Sequence, residues 1–276
     1  MSHVLETCSV IGASGFIGSA LVTRLKEEGL CPREFVRTDE IPKGENLGTV
    51  FYCAGMTADF LENPADTLNA HTVLLSEILF KRSADKLIYL SSTRLYDELT
   101  EDLTGFEDSD LSVNPSKPRH FFDLTKLAGE ALCNVCDEMP TQVLRLAAVY
   151  SETHYADGFM GSILKKICEA DPDSEIYVDS SPLSARDYIH LDDVLTACLL
   201  VAESGKASVY NVASGVNVTN LELSELFHDR TGRKLIFTDD VRPPEFCRIS
   251  TERLWNEFGF RARSIETALD AWLAAF

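Results

Sequence analysis

Apolar residues along this chain follow two alternating patterns, one typical of buried strands and one typical of amphipathic helices. The first strand is predicted at 9–11, where an apolar run leads into Gly12. A helix follows and is predicted to end near Glu28-Gly29. Its apolar positions recur at helical spacing: Ile17, Leu21, Val22 and Leu25. The opening of the chain therefore predicts a strand, a tight turn and a helix.

The same alternation continues along the chain, and it is typical of strands that pair in parallel with helices between them. Further strands are predicted at 34–37, 49–55, 86–93 and 142–146, with helices that begin at Asn63-Pro64 and at about 121. Beyond these, helices are predicted at 159–170, 192–204, 219–231 and 264–275, and short strands at 175–178, 210–212 and 234–237.

The predicted fold is α/β, with a Rossmann-like doubly wound parallel sheet and a smaller C-terminal α/β substrate lobe. We expect a dinucleotide-binding domain at 1–150 and a substrate-binding lobe at 151–276 that is interleaved with it. Only about a dozen residues, rich in Pro, Gly and Asn, separate the second predicted strand from the third. Because the usual helix and extra strand do not fit there, we expect the adenine end of the site to be open.

Glycines recur at 12, 15 and 18, between the first strand and the first helix. Gly12 permits a tight turn, Gly15 lets backbone N–H groups approach a pyrophosphate, and Gly18 lets the helix lie near the strand. The helix N-terminus then faces the anion. An ordinary turn is the alternative, but the place between strand and helix favours a dinucleotide site. The candidate cofactor-binding residues here are Gly12, Ser14, Gly15, Phe16, Ile17 and Gly18.

The end of the second predicted strand is where a Rossmann protein selects its cofactor. An acidic residue there binds the ribose hydroxyls of NAD, whereas an arginine pairs with the 2′-phosphate of NADP. This chain has Arg37 at that place and Asp39 two positions later. The cofactor is therefore NADP or NAD, and Arg37 favours NADP.

Charge and cysteine content narrow the partners and the compartment. With 25 Lys and Arg against 44 Asp and Glu, the net charge of −19 argues against nucleic acid or an anionic membrane as the main partner. No apolar run approaches a membrane span, and the N-terminus lacks the layout of a signal peptide. Eight cysteines spread through predicted elements are typical of a reducing compartment, so we expect a cytoplasmic protein. Cys133 and Cys136 lie in a predicted helix, which favours packing over a metal site.

One pair of positions has the spacing of a proton-transfer site. Lys126 lies one helical turn after position 122, so the two side chains share a helix face. A tyrosine one turn before a lysine has a lowered pKa and moves a proton near neutral pH, while a hydroxyl such as Thr93 holds the substrate oxygen. Position 122, however, is Phe122, which has no proton to give.

With these residues in view, the chain resembles the extended short-chain dehydrogenase/reductase family, in particular its NAD(P)-dependent nucleotide-sugar epimerases, dehydratases and ketoreductases. The resemblance covers nearly the whole length. Its motifs are Gly12-Ala13-Ser14-Gly15-Phe16-Ile17-Gly18, Val50-Phe51-Tyr52-Cys53-Ala54-Gly55, Ser91-Ser92-Thr93-Arg94-Leu95-Tyr96, Phe122-Asp123-Leu124-Thr125-Lys126, a strand that includes Arg145, Arg186-Asp187-Tyr188-Ile189-His190 and Tyr210-Asn211-Val212-Ala213-Ser214-Gly215.

Site residues follow from the resemblance. It implies that Thr93, position 122 and Lys126 form the catalytic set, with Lys126 on the nicotinamide ribose. Further cofactor-binding residues are Arg37, Cys53, Ala54, Gly55, Asn69, Ser91 and Lys126. Substrate-binding candidates are Thr93, Tyr96, Arg186, Arg242 and Arg248, whose arginines suit a nucleotide diphosphate. No metal is implied.

Phe122 leaves three explanations open. The residue is a Tyr-to-Phe substitution made to trap a ligand, or the proton donor has moved to Tyr96, His120 or a water, or catalysis is lost and ligand binding is kept.

The function implied by the resemblance is hydride transfer on a nucleotide-activated sugar, by an epimerase or a 4-ketoreductase. Dehydration is disfavoured because Arg94-Leu95 stand where dehydratases carry an acidic pair. The alternative is a non-catalytic dinucleotide-binding protein that acts as a sensor or partner subunit. The resemblance also implies a homodimer.

Overall fold

A computed structural model describes residues 5–56, 59–99, 103–152, 158–239 and 246–273. The strands are β1 (Cys8–Ile11), β2 (Arg33–Phe35), β3 (Thr49–Tyr52), β4 (Lys86–Ser92), β5 (Thr104–Gly105), β6 (Thr141–Leu146), β7 (Ala148–Tyr150), β8 (Glu175–Val178), β9 (Ala185–His190), β10 (Val209–Val212), β11 (Asn217–Thr219), β12 (Lys234–Phe237) and β13 (Arg248–Ile249).

The helices are α1 (Phe16–Glu27), α2 (Pro64–Leu68), α3 (Leu74–Lys81), α4 (His120–Asn134), α5 (Phe159–Glu169), α6 (Leu191–Ser204), α7 (Asn220–Thr231), α8 (Glu252–Phe258) and α9 (Ile265–Leu273). A π-helical segment, Asn69–Val73, joins α2 to α3, and a 3-10 turn, Thr93–Tyr96, follows β4. Within the described residues, no helix has both the length and the apolar content needed to cross a bilayer.

The central sheet has six parallel strands in the order β2-β1-β3-β4-β6-β10. Residues of α1 and α6 share one hydrophobic core with one face of this sheet, and residues of α3 and the end of α4 share a second core with the other. A sheet covered on both faces must have strands that are apolar throughout, and β1 and β3 are buried at every position. The Rossmann-like α/β prediction is confirmed.

The sheet ends at β2, as the short connection after it predicts. Residues 36–48 contain neither a helix nor a strand of their own before β3 begins. The strand order changes direction between β1 and β3, and ligands of open α/β sheets bind at such a point, outside the carboxyl ends of the strands. The adenine end of that crevice is therefore bordered by a loop rather than by a further strand.

The second half of the chain contributes to two regions. One is a smaller core in which α5, α7 and α9 pack with the two-stranded sheet β8-β12 and the three-stranded sheet β7-β9-β11. The other is the central sheet, where β10 forms the edge and α6 lies on one face. The exact division at residue 150 stays a prediction.

Several short elements were not predicted from the pattern. These are β5, β7, β9, β11, β13 and α8. Strands of two or three residues carry too few positions for an alternating pattern to be recognised. The polar residues Arg186 and Asp187 near the start of β9 obscure the apolar pattern of that longer strand.

A buried ion pair connects α4 to the middle of the sheet. The guanidinium of Arg145 on β6 binds the carboxylate of Glu130 on α4, with Nη2 to Oε2 at 2.7 Å. Ser91 on β4 donates to the other carboxylate oxygen at 2.5 Å. Both ionic side chains are almost fully buried, so each depends on the other for its charge compensation.

We expect Glu130→Gln to lower the free energy of unfolding by about 3 kcal/mol, because the buried Arg145 guanidinium loses its countercharge. Urea denaturation followed by circular dichroism measures the change. The matched control is Glu138→Gln, an exposed position just beyond the same helix, which should cost less than about 0.5 kcal/mol. Equal stability of the two variants would contradict the role of the pair.

Candidate active site

The loop between β1 and α1 leaves little or no room for a side chain at its three glycine positions. Gly12 has a φ of +86°, and a Cβ there would lie 2.7 Å from the backbone N of Ala54. A Cβ on Gly18 would collide with the carbonyl oxygen of Gly12, and one on Gly15 would lie 3.3 Å from the same oxygen. Only glycine allows the three backbone segments to approach this closely. The loop is therefore a cradle of the kind that a pyrophosphate requires.

Backbone hydrogen bonds fix the conformation of this cradle. The N–H groups of Gly12 and Ala13 both donate to the carbonyl of Phe35 on β2, and Gly15 N–H donates back to Gly12. Gly15 caps the helix with its backbone alone, and α1 has no acidic side chain in its first turn. The amides of Phe16 and Ile17 thus face outward from the N-terminus of a 12-residue helix. Ser14 and Gly15 are exposed, so an anion can reach them.

Arg37 lies two residues beyond β2, next to this cradle. Its side chain is 68% exposed, and its Nη2 atom lies 3.6 Å from Asp66 and 3.4 Å from the sulfur of Met56. The carboxylate of Asp39 is turned back, where it accepts the Val36 N–H at 2.8 Å. The acidic group that would select NAD is therefore occupied in a turn, and the exposed cation is the arginine.

The end of β3 leads to the middle of the crevice. Cys53 N–H donates to Ile11 of β1, so Cys53, Ala54 and Gly55 continue beside the cradle. A Cβ on Gly55 would lie 3.3 Å from both Lys126 Nζ and His71 Nε2. The backbone at Gly55 therefore lies directly against these two side chains.

Lys126 is buried at the carboxyl end of β4. Its Nζ atom donates to the carbonyl oxygen of Leu90 at 2.9 Å and lies 5.1 Å from the centre of the Tyr89 ring. Burial lowers the pKa of this ammonium to about 8, although the nearby Glu130 raises it. The lysine is thus placed where the predicted nicotinamide end of a dinucleotide would lie, with a proton that it can release near neutral pH.

His71 lies beside Lys126 and was not singled out in the sequence. Its Nε2 atom accepts the Met56 N–H at 3.2 Å, and its Nδ1 atom is 2.8 Å from the Thr125 hydroxyl, which itself donates to Phe122 O. These partners require a neutral ring protonated at Nδ1. Burial and the charge of Lys126 lower its pKa to about 2. Helical periodicity could have identified this residue, because His71 lies one turn before the buried Leu75 and shares its helix face.

Phe122 is 1% exposed, and its ring is enclosed by three side chains. The rings of Phe60 and His71 meet it edge-on at centroid distances of 5.6 and 5.4 Å. The guanidinium of Arg94 lies over its face, 4.4 Å from the centroid, and also 5.2 Å from the centre of Phe60. A cation over an aromatic face is attracted by the ring quadrupole. Arg94 therefore covers the position at which the family motif carries its tyrosine.

The residues after β4 divide into two groups. Thr93 is half-buried, and its hydroxyl has no hydrogen-bond partner among the described residues, so it is available to a ligand. Ser91 and Tyr96, by contrast, are buried in the Glu130–Arg145 network. The Tyr96 hydroxyl donates to Asn211 Oδ1 at 2.8 Å and accepts from Arg145 at 2.6 Å. These bonds hold Ser91 and Tyr96 in place inside the protein.

A cluster of charged side chains lies near Arg94, the residue that covers the Phe122 ring. The Asp97 carboxylate forms ion pairs with Arg119, at 3.6 Å, and with Arg186, at 3.9 Å. Arg119 also binds Glu98. The guanidinium of Arg186 lies 3.4 Å from the centre of the Phe246 ring. Burial raises the pKa of Asp97 although these arginines lower it. Three arginines, 94, 119 and 186, thus converge on one side of the crevice.

Three predicted site residues are not joined to this arrangement. Arg242 lies outside the described residues. Arg248 is exposed on β13, which pairs with β5. Asn69 is exposed on the π-helical segment, whereas the side chain that reaches Lys126 from this segment is His71. The geometry gives no support to a cofactor contact by Asn69, and its role stays a prediction.

The two cysteines of the C-x-x-C sequence pack within the fold. Cys133 is buried in the core beneath α3, and the thiol of Cys136 donates to the Leu79 carbonyl at 3.7 Å. Helix packing accounts for both positions.

The comparison with known families settles which family this arrangement represents. The sequence model of the "NAD dependent epimerase/dehydratase family" matches residues 8–213. The chain belongs to that family. The matched range begins at β1 and ends just after β10, so it contains the cradle, Thr93, Phe122, Lys126 and Arg186. The resemblance to extended short-chain dehydrogenase/reductases is confirmed.

Individual relatives are distant but cover most of the chain. The dTDP-4-dehydro-6-deoxy-D-allose reductase of Streptomyces bikiniensis is 26% identical over 279 residues, 86% of this chain and 85% of the relative. The RMD protein of Pseudomonas aeruginosa, solved with NADPH, has a TM-score of 0.78 at 24% identity, covering 97% and 98% of the two chains. A UDP-glucuronic acid 4-epimerase of Bacillus cereus, solved with its substrate and NAD, has a TM-score of 0.78 at 19% identity, with coverage of 97% and 98%. These structural likenesses establish the fold.

We expect Gly12→Ala to abolish dinucleotide binding and to destabilise the fold by about 1–3 kcal/mol, because it adds a clash with Ala54 to an already left-handed backbone. Fluorescence titration with NADPH and thermal unfolding measure the two effects. Gly29→Ala is the control, since Gly29 has a φ of +81° but nothing within 4 Å of its added Cβ. Retained NADPH affinity in Gly12→Ala would exclude the cradle as the phosphate site.

Proposed function

We propose that this protein is an NADP-dependent oxidoreductase of nucleotide-activated sugars, which reduces a 4-keto sugar or epimerises a sugar carbon through such an intermediate. The observation that carries the proposal is that the glycine cradle, Lys126 and Thr93 lie at the carboxyl ends of β1, β3 and β4. Among the described residues, the Thr93 hydroxyl has no hydrogen-bond partner. Ligands of open α/β sheets bind at this edge.

The chain's own residues have separate tasks in this proposal. The amides at the start of α1 bind the paired phosphates, Lys126 orients the nicotinamide ribose, and Thr93 binds the oxygen on the reacting carbon. The bound dinucleotide supplies or accepts the hydride. The protein contributes positioning and the movement of one proton.

The substrate is inferred from the cluster of arginines. Arg119 and Arg186 lie beyond Phe122, and planar guanidinium groups suit the paired phosphates of a nucleoside diphosphate. The Streptomyces relative is named as a reductase of a dTDP-linked keto sugar, which favours reduction here. Epimerisation is the second possibility, as in the named Bacillus neighbour.

A binding protein without catalysis is the second candidate function, and Phe122 is the observation that favours it. The buried phenyl ring gives no proton, although the surrounding site is intact. We favour an active enzyme, because Phe60, His71 and Arg94 accommodate the phenyl ring of Phe122 while Lys126 and Thr93 keep their places at the end of β4. The remaining explanation of Phe122 is a Tyr-to-Phe substitution made to trap a ligand, and the Phe122→Tyr assay below tests it.

A homodimer and a cytoplasmic location complete the proposal. The segment from α2 to α3 exposes Leu68, Val73 and Phe80, and Val135 is exposed at the end of α4. Helices α3 and α4 pack side by side, so this apolar surface suits helix pairing between two copies. The location rests on the cysteine content alone.

We expect Arg37→Gln to weaken NADPH binding about 10- to 100-fold while NADH binding changes less than about threefold, because only NADPH carries the 2′-phosphate. Fluorescence titration of both coenzymes measures this. Lys43→Gln removes an exposed charge from the same loop and should leave both affinities unchanged. Equal NADPH and NADH affinities in the unaltered protein would overturn the NADP preference.

We expect the unaltered protein to oxidise NADPH with dTDP- or GDP-linked 4-keto-6-deoxyhexoses, and Phe122→Tyr to change the rate by less than about tenfold. The loss of NADPH fluorescence gives the rate, and NMR of the sugar product distinguishes reduction from epimerisation. Turnover only after Phe122→Tyr, with a gain of orders of magnitude, would show that the tyrosine is the missing group. Binding of NADPH and nucleotide sugar without turnover in either form would identify the binding protein.

A further inference from the structure

Hydride transfer to a ketone needs a proton as well, and the expected tyrosine is absent. Two of the candidate donors are already engaged. The Tyr96 hydroxyl is bound to Asn211 and Arg145, and burial raises its pKa to about 12. His120 accepts the Asn114 N–H at Nδ1 and faces Glu98 with Nε2 at 3.2 Å. Neither group is free to face a sugar.

Asp123 follows Phe122 on α4, and one of its carboxyl oxygens lacks a hydrogen-bond partner among the described residues. The residue is 3% exposed, and its Oδ1 atom has no hydrogen bond within the described chain. Asp123 also lies one turn before Lys126, so both side chains project from the same buried side of the helix. A buried oxygen without a partner is costly, so this carboxyl group keeps hydrogen-bonding capacity that a proton or a ligand can satisfy.

The charged groups that face Asp123 come from two segments. They are Arg94 on the turn after β4, Asp97 and Glu98 just beyond it, and Arg119 and His120 at the start of α4. Burial raises the pKa of the Asp123 carboxyl, Arg94, His120 and Arg119 lower it, and Glu98 raises it. The result is a carboxyl group whose pKa is raised above its usual value and whose ionised form has cations close by.

We propose that Asp123 is the proton donor and acceptor of this enzyme in place of the tyrosine, and that Arg94 positions it. The inference rests on the proposed function. In reduction, the carbonyl carbon receives the hydride, its oxygen takes the proton from the Asp123 carboxyl, and NADPH becomes NADP+. The carboxylate that remains is stabilised by Arg94 and Arg119 and regains a proton from solvent. In the oxidation direction, the hydride returns to NADP+ and the Asp123 carboxylate takes the proton from the sugar hydroxyl.

The other titratable groups of the crevice are less suited to this task. The neutral ring of His71 has both nitrogens engaged by Met56 and Thr125. Lys126 donates to Leu90 and lies against Gly55, which places it at the ribose side. Arg94 acts on Asp123 through its charge. Arg94 contacts the Phe122 ring and attracts the carboxyl group of the adjacent Asp123. The phenyl ring and the proposed proton donor therefore share one arginine.

We expect Asp123→Asn to lower kcat at least 100-fold with NADPH affinity unchanged, because the amide keeps the shape and loses the acid. The rate of the unaltered protein should fall as pH rises through the Asp123 pKa, and that limb should vanish in Asp123→Asn. Asp137→Asn, at an exposed position beyond α4, should behave as the unaltered protein. Phe122→Tyr in the Asp123→Asn background should restore turnover, since the tyrosine then supplies the proton.

Arg94→Gln tests the positioning role. Because Arg94 lowers the pKa of Asp123, its removal should move the pH limb to higher pH. An unmoved limb with a reduced rate would leave Arg94 only a structural role and overturn that part of the proposal.

Infrared titration gives a measurement that needs no turnover. A protonated carboxyl has a C=O stretching band distinct from that of a carboxylate, and the difference between the unaltered protein and Asp123→Asn isolates Asp123. We expect this band to persist above the pH at which a free aspartic acid ionises, and its loss at that pH overturns the inference. Turnover within threefold of the unaltered rate in Asp123→Asn overturns the inference but leaves the proposed function intact. NADPH binding without turnover by the unaltered protein overturns both.

Discussion

The close approach of three backbone segments at Gly12 is the constraint on which the rest of the site depends. The turn after β1, the end of β3 and the first turn of α1 meet within van der Waals distance, and a side chain at Gly12 or Gly18 would separate them. This contact sets the distance between α1 and the sheet. It also aligns the ends of β1 and β3, so that the cradle continues through Ala54 and Gly55 to Lys126.

Helix α4 provides the second half of the site and carries an unusual number of polar residues toward the protein interior. Asp123, Thr125, Lys126 and Glu130 are all nine-tenths or more buried. Glu130 is compensated by Arg145, Lys126 by a main-chain carbonyl, and Thr125 by His71 and Phe122. Buried polar groups are normally satisfied in this way, and the Asp123 Oδ1 atom is the exception within this set. The buried face of α4 that anchors the helix therefore also carries one carboxyl oxygen without a hydrogen-bond partner among the described residues.

The phenyl ring at 122 and the arginine at 94 belong together physically. An arginine over a phenyl face gains cation–π attraction and keeps its charge close to the reacting region. Arg94 also lies near Asp97 and Asp123, so one side chain couples the aromatic pocket to both carboxyl groups. The family motif has a tyrosine hydroxyl at this place, whereas this chain has a phenyl ring with a cation and a carboxyl group beside it. The electrostatics of the site therefore differ while its shape is kept.

The sequence by itself determined the parallel α/β fold, the close-packed glycine loop, the short edge at β2 and the placement of positions 122 and 126 on one face of a helix. These follow from patterns that act locally: apolar periodicity, glycine spacing and one helical turn between side chains. Only the tertiary structure decided that Tyr96 and Ser91 are bound inside the protein, that His71 rather than Asn69 contacts the lysine's surroundings, and that Arg94 covers Phe122. Those contacts join residues far apart in the chain, such as Tyr96 with Asn211 and His71 with Thr125. The burial and charge compensation of such residues depend on the packing of several elements at once, and no local pattern records that packing.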